Sequence, residues 1–215
     1  LERLNTLHAS RYTLRSVKSW QDVYHFIFLP TYQEDYSIVA GCLEGLLKTN
    51  YPKSKMAVVL CWEERGGVQT ENVVKEIEKT YKNSFFELIT VKHPSGLAGE
   101  MPGKGSNTAY GARFVKDSII DPRGIPYDHI MVSNFDIDTV VSPEYFGVLT
   151  HTFLTAENPL RASYQPIPLY VNNIWEAPSI ARVVAFSATF WHTIKQEKSE
   201  TATTFSSHSM PWQAL

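Results

Sequence analysis

The sequence predicts an α/β fold with a mostly parallel central sheet and helices on both faces, and three observations carry that prediction. Short β-rich runs alternate with helical patterns through most of the chain, in the βαβαβαβ order that leads to parallel pairing. Met56–Trp62 is almost continuously apolar, as expected of a strand covered on both sides. Finally, 215 residues with 43% apolar side chains suffice for one domain with a core that needs neither disulfides nor metal to hold it.

Residues 1–20 are polar with scattered leucines and read as a connecting segment, which leaves 21–215 as the domain. Val23–Leu29 is the first strand, and Pro30 is expected to end it because proline cannot donate to a ladder. Asp35–Thr49 then places Ile38, Val39, Cys42, Leu43, Leu46 and Leu47 on one helical face. After the strand at Met56–Trp62 comes a helix over Thr70–Lys82, with Val73, Val74, Ile77 and Tyr81 inward, and a third strand at Phe85–Val91. Gly105–Lys116 is a shorter helix and His129–Ser133 a fourth strand.

Ser142-Pro143-Glu144 has the marks of a helix start, namely a capping hydroxyl, a proline at the first helical position and an acid in the first turn; that helix runs to about Leu154. Ala162–Val171 reads as extended and Ser179–Glu197 as a long helix. Within it, Val183–Trp191 reads as an ordinary buried stretch, with Trp191 in the core. A second reading rests this helix on a membrane, or on membrane-spanning segments outside the chain, with Arg182 and Lys195 at its ends. The loops His93–Lys104 and Asp117–Asp128 are long for such a fold, and long loops here are often functional.

A net charge of −2 removes the general electrostatic case for a nucleic-acid partner. Cys42 and Cys61 sit in apolar stretches and read as buried, reduced thiols, which suits a cytosolic compartment. The longest apolar stretch is about half a membrane span, and no signal peptide is visible. The chain opens on Leu1 and stops in Met210-Pro211-Trp212-Gln213-Ala214-Leu215, so a fragment of a longer protein is expected.

Open α/β sheets bind ligands beyond the carboxyl ends of their strands, which directs attention to the segments that follow each one. After the first strand, Pro30-Thr31-Tyr32-Gln33-Glu34-Asp35 offers a hydroxyl, an aromatic face and acids, or equally a loop with a helix cap. After the second, Glu63-Glu64-Arg65-Gly66-Gly67 places two acids before a tight turn, where a solvated loop is an equal reading. After the third, Gly103-Lys104-Gly105-Ser106-Asn107 fails both the P-loop spacing and the dinucleotide fingerprint, yet a lysine opening a helix still suits a phosphate.

The fourth strand leads into Asp136-Ile137-Asp138. Were the strand to continue, the two carboxylates would share a face about 6.6 Å apart and repel by roughly 2–3 kcal/mol at an effective dielectric near 20. A cation relieves that repulsion, and hard oxygen ligands select Mg2+ or Mn2+. The plain alternative is that the strand stops and both acids are solvated turn residues. Seven histidines lack metal-ligand spacing, and Ser207-His208-Ser209 lacks the geometry of a catalytic triad. Trp175 and Trp212 stay open between packing and a sugar-binding surface.

Taken together, Phe28-Leu29-Pro30-Thr31-Tyr32-Gln33-Glu34, Gly103-Lys104-Gly105-Ser106-Asn107 and Phe135-Asp136-Ile137-Asp138 resemble, in order and spacing, glycosyltransferase family 2 with its GT-A nucleotide-sugar fold, over roughly residues 23–210. Cys61-Trp62-Glu63-Glu64-Arg65, Tyr164-Gln165-Pro166-Ile167-Pro168, Asn172-Asn173-Ile174-Trp175 and Phe205-Ser206-Ser207-His208-Ser209 are similar to large, often membrane-associated bacterial members. The resemblance implies that Pro30, Thr31, Tyr32 and Glu34 hold the nucleoside, with Glu63 or Glu64 as the acid after the second strand. It further implies that Lys104 and Asn107 face the nucleotide or diphosphate, that Asp136 faces the sugar nucleotide and the metal, and that Asp138 binds the metal.

By the same resemblance the donor is a nucleotide-diphosphate sugar, UDP-linked, the acceptor a glycan or lipid-linked hydroxyl, the outcome inversion, and the place of work the cytoplasmic face of a membrane. The family's catalytic base lies in a downstream Glu-Asp motif. Glu200 is the sole carboxylate between Ser199 and Leu215, so the base is expected beyond Leu215. Two other classes compete: a nucleotidyltransferase, against which the glycine-free loop after the first strand counts, and a non-catalytic nucleotide-sugar-binding module.

Overall fold

A computed structural model describes residues 14, 16–171, 174–175, 177–196 and 207–215. Five strands form one sheet: β1 (Tyr24–Thr31), β2 (Met56–Glu63), β3 (Glu87–His93), β4 (Ile130–Asn134) and β5 (His208–Pro211), in the order β3-β2-β1-β4-β5. The first four are parallel, and β5 runs antiparallel to β4. This is the α/β architecture expected from the alternating pattern.

The two faces of the sheet bury different sets of residues, because successive side chains alternate. Ile27, Leu29, Val58 and Leu60 pack beneath α1 (Tyr36–Leu47), α2 (Gly67–Tyr81) and α5 (Tyr145–Thr155). Phe26, Phe28, Val59 and Cys61 face α3 (Lys104–Val115) on the other side. The contact there is close: a Cβ at Gly111 would fall 2.3 Å from Cys61 Sγ. Cys42 and Cys61 are free and buried on opposite faces, and burial pushes both thiols up to about 12.

Pro30 does not end β1. It pairs in register with Cys61, and β1 continues to Thr31. Phe28 accepts from the Phe135 N–H on the β4 side. Backbone groups alternate along a strand, so the proline's missing N–H points to that same side, past Asn134 where β4 has ended.

Three further expectations are corrected. Asp117–Asp128 is not a long loop: α3 runs on through a π-helical stretch, Lys116–Ile120, into the single turn α4 (Asp121–Arg123). The helix after Asp138 starts at Tyr145 rather than at Ser142. Glu144 stands at its N-cap, and the Pro143 carbonyl accepts from the Asn50 N–H at 2.8 Å while the Glu144 side chain accepts from that of Asn50, so these residues tie the helix start to the loop after α1. The apolar stretch of α6 (Ser179–Gln196) is not buried, and Trp191 is not in the core; Trp212 is, against Phe26 and Tyr127.

Of the expected connecting segment, 1–13 and Arg15 lie outside the described residues. Leu14 and Val17 are buried in the core, and Ser19 with Asp22 forms a capping box ahead of β1. Asn172, Asn173, Phe205 and Ser206 likewise lie outside the described residues. No helix among the described residues is long and apolar enough to cross a membrane.

Candidate active site

The carboxyl ends of β2, β1 and β4 lie side by side; the segments after β1 and β2 are bound to each other, and the segment after β4 is bound to the start of α3 and to Ser207. After β1, Thr31 is buried, and its hydroxyl and the Tyr32 N–H both donate to one Glu34 carboxylate oxygen, the latter at 2.7 Å. Burial alone would raise the Glu34 pKa, but the Thr31 hydroxyl and the amides of Tyr32, Glu34 and Gln33 outweigh it and hold the carboxyl below its ordinary value. Glu34 therefore acts first as the clamp of this turn.

After β2, Glu63 is buried and both its oxygens meet the Arg65 guanidinium. Arg65 in turn lies over the Tyr32 ring, 4.4 Å from its centroid. Thr70, near the start of α2, donates to the Tyr32 carbonyl. Gly66 permits that approach, since a Cβ there would stand 2.3 Å from the same oxygen. Glu64 points elsewhere: it pairs with Lys92 at 3.0 Å and accepts from the Ser95 amide and hydroxyl at 3.0 and 3.1 Å. The Ser95 amide, then Lys92, pull its carboxyl down to about 2. Of the two acids after β2, Glu63 thus joins the β1 turn and Glu64 the β3 loop.

After β3, Glu100 folds that loop back, accepting from His93 at 2.9 Å and pairing with Arg113 at 3.3 Å. The His93 contact is the main reason its carboxyl titrates low. Gly103, at φ 155°, turns the chain into α3, and Lys104 is the first helical residue. Its ammonium forms an ion pair with Asp136 of the segment after β4. Asn107 is buried and its amide nitrogen donates to the Cys61 carbonyl at 2.8 Å, fastening the start of α3 over the end of β2, while its Oδ1 has no partner among the described residues.

After β4, the strand does not continue through the two acids. It stops at Asn134, and a turn closes from the Thr139 N–H to the Asp136 carbonyl at 2.9 Å. Ile137 is buried beneath it, Asp136 is half-buried and Asp138 is exposed. Both acids line one open cleft of about 650 Å3, whose other walls include Tyr145, Gln165, Pro166 and Leu169. Among the described residues no group of three or more His, Cys, Asp or Glu could hold a metal by itself. A pair of carboxylates at an open cleft nevertheless fits an ion that completes its sphere with water and substrate phosphates, the usual habit of Mg2+.

Ser207 was not among the sequence candidates. Its hydroxyl accepts from the Asp136 N–H at 3.4 Å and meets Thr139 Oγ1 at 3.2 Å, so the residue before β5 braces the acidic turn. Two residues on, Ser209 is buried and its hydroxyl meets Ser133 Oγ at 2.7 Å and Tyr145 OH at 3.1 Å. The Ser-His-Ser run is a splice between strands.

Residues 25–167, two thirds of the chain, match the family model described as glycosyltransferase like family 2. The chain belongs to that family. In structure it is similar to the mannosyltransferase PcManGT from Pyrobaculum calidifontis in complex with GDP-Man and Mn2+, at 12% identity and a TM-score of 0.51, over 87% of this chain and 44% of that one. It is also similar to S. aureus TarS 1–349, at 14% identity and a TM-score of 0.47, over 88% of this chain and 47% of that one. The first of these likenesses shows the shared fold, and the chain spans less than half the length of either structure. No curated protein matches it in sequence. The GT-A fold expected from the motifs is thus the fold of the chain.

Proposed function

We propose that this chain binds a nucleotide-diphosphate sugar across the ends of β1, β2 and β4, with Mg2+ or Mn2+ at Asp136 and Asp138, and that it serves transfer of the sugar to an acceptor hydroxyl. The observation that supports this reading most directly is the Lys104–Asp136 ion pair, which joins a cationic helix start to the acidic turn. A donor's diphosphate needs that combination, with cation and helix amides on one side and a carboxylate-held ion on the other.

Each residue has work to do. The Glu34 clamp keeps the Tyr32 ring in place, and the ring, with Arg65 over it, offers a planar surface to a base. Glu63 fixes Arg65 rather than touching the donor. On donor binding, Lys104 exchanges Asp136 for a phosphate oxygen, which leaves Asp136 to the metal and the sugar nucleotide. The metal supplies charge stabilisation where the leaving diphosphate becomes more negative. The acceptor hydroxyl approaches from the cleft beside Tyr145 and Gln165. The uridine assignment rests on the resemblance of the motifs alone.

The experiment is a thermal shift with UDP, GDP and Mn2+, singly and together, because ligand binding to the folded state raises the melting temperature. UDP with Mn2+ is expected to stabilise more than either alone, and Asp138→Ala to abolish the Mn2+ dependence. Undiminished Mn2+-dependent nucleotide binding by that variant would sink the metal assignment.

A further inference from the structure

Ser207 sits where three parts of the fold meet: the acidic turn after β4, the start of β5 and the segment around Gln165. Its hydroxyl accepts from the Asp136 N–H at 3.4 Å and lies 3.2 Å from Thr139 Oγ1. Its carbonyl accepts from the Gln165 side-chain amide at 2.9 Å. Asp136 and Thr139 are the two ends of the turn that closes from the Thr139 N–H to the Asp136 carbonyl, and Asp138 stands between them. One hydroxyl therefore touches both ends of the turn that carries the two acids.

The mount of that hydroxyl is itself fixed. The next residue, His208, pairs in register with Asn134 at the end of β4. Ser209 exchanges backbone hydrogen bonds with Tyr164 at 2.7 and 2.9 Å, and its own hydroxyl is tied to Ser133 and Tyr145. Gln165 follows Tyr164 directly, so the bridge that aligns this segment with β5 also brings the Gln165 amide to the Ser207 carbonyl. Gln165 and Ser207 both line the cleft that Asp136 and Asp138 line.

We infer that Ser207 and Gln165 are positioning residues for the divalent ion: Ser207 sets the spacing of the Asp136 and Asp138 carboxylates, and Gln165 holds Ser207 in the place from which it does so. The inference rests on the metal site proposed above. Two carboxylates that share one ion must stand at a set separation. The single backbone bond that closes their turn does not by itself orient the Asp136 peptide, and the Ser207 hydroxyl does. Groups hydrogen-bonded to metal-binding residues hold them ready for the ion, and their loss costs affinity. Lys104 is no substitute for this brace, because the proposed exchange turns it to a phosphate when the donor arrives.

The test titrates Mn2+ into the 215-residue chain with UDP present, by calorimetry, and reads UDP binding without metal and the melting temperature alongside. Ser207→Ala should weaken Mn2+ binding about tenfold while metal-free UDP binding stays at the wild-type value. Ser207→Thr, which keeps the hydroxyl, should restore it. Gln165→Leu should weaken Mn2+ binding about threefold, and adding it to Ser207→Ala should bring no further loss, because both act through one contact. Ser163→Ala loses a 3.4 Å bond to the Ser209 carbonyl and touches neither end of the turn, so it should bind Mn2+ as the wild type does. A wild type whose UDP binding is indifferent to Mn2+ would bring down the metal site and this inference with it. Mn2+-dependent binding that Ser207→Ala leaves unchanged, an equal loss in Ser163→Ala, no recovery in Ser207→Thr, or additive losses in the double variant would each overturn this inference alone.

Discussion

His25 gives the sharpest quantitative prediction. It sits in the middle of the core, wholly buried, with Nε2 at 2.8 Å from Thr150 Oγ1 and its ring edge-on to Tyr51 and Phe146, at centroid distances of 4.6 and 4.9 Å. Nδ1 has no hydrogen-bond partner among the described residues, which fits the neutral tautomer with its proton on Nε2 and a bare lone pair on Nδ1. Burial lowers its pKa from 6.5 to about 3. The folded value lies below the unfolded one, so in acid the unfolded chain takes up the proton that the folded chain refuses. This contribution to stability is intact above pH 6.5 and is withdrawn as pH falls from there toward 3. Each pH unit in that window withdraws about 1.4 kcal/mol, and lowering the pH from 7.5 to 5 costs about 2 kcal/mol from this residue alone. Other groups titrate over the same range, so the assay is a difference: urea unfolding of the wild type and of His25→Gln, whose amide reaches toward Thr150 and never titrates, at pH 7.5, 6 and 5. The variant starts less stable, and the gap between the two proteins should close by about 2 kcal/mol at pH 5. Parallel pH profiles would refute the reasoning.

Three further outcomes are expected. Gly66→Ala drives a methyl against the Tyr32 carbonyl, costing about 1–3 kcal/mol in urea unfolding and weakening nucleotide binding in calorimetry by displacing the β1 turn. Gly111→Ala collides with Cys61 Sγ and should cost a similar 1–3 kcal/mol. Combining it with Cys61→Ala should recover part of that loss, and strict additivity of the two would contradict the packing described. Lys104→Met releases Asp136 from its ion pair, so Mn2+ affinity without nucleotide should rise while nucleotide affinity falls, both read by titration calorimetry.

How much of this was legible beforehand depended on how local each signal is. The four parallel strands announce themselves because burial on both faces writes an apolar run into a few consecutive residues, as in β2. The acids after β4 and the lysine after β3 stood out by type and position, although pairing between Lys104 and Asp136 spans 32 residues and leaves no local trace. Asn107 shows the same limit: an asparagine that anchors a helix to a buried carbonyl and one that faces a ligand look identical in sequence. β5 has four residues, one of them proline, with no strand periodicity, and it exists through its register with β4. The periodicity of α6 was visible, but a hydrophobic stripe does not say whether it turns toward protein or away.

The position of β5 has a consequence for the order in which the domain is completed. β1 to β4 and their helices precede α6 in the chain and can assemble as synthesis proceeds, with β4 pairing back onto β1. The acidic turn, by contrast, is braced by Ser207, about 70 residues farther along. A nascent chain that has emerged only as far as α6 holds most of the hydrophobic core but not the brace on its acidic turn. That brace therefore forms only once the residues beyond α6 have been made, later than the four parallel strands.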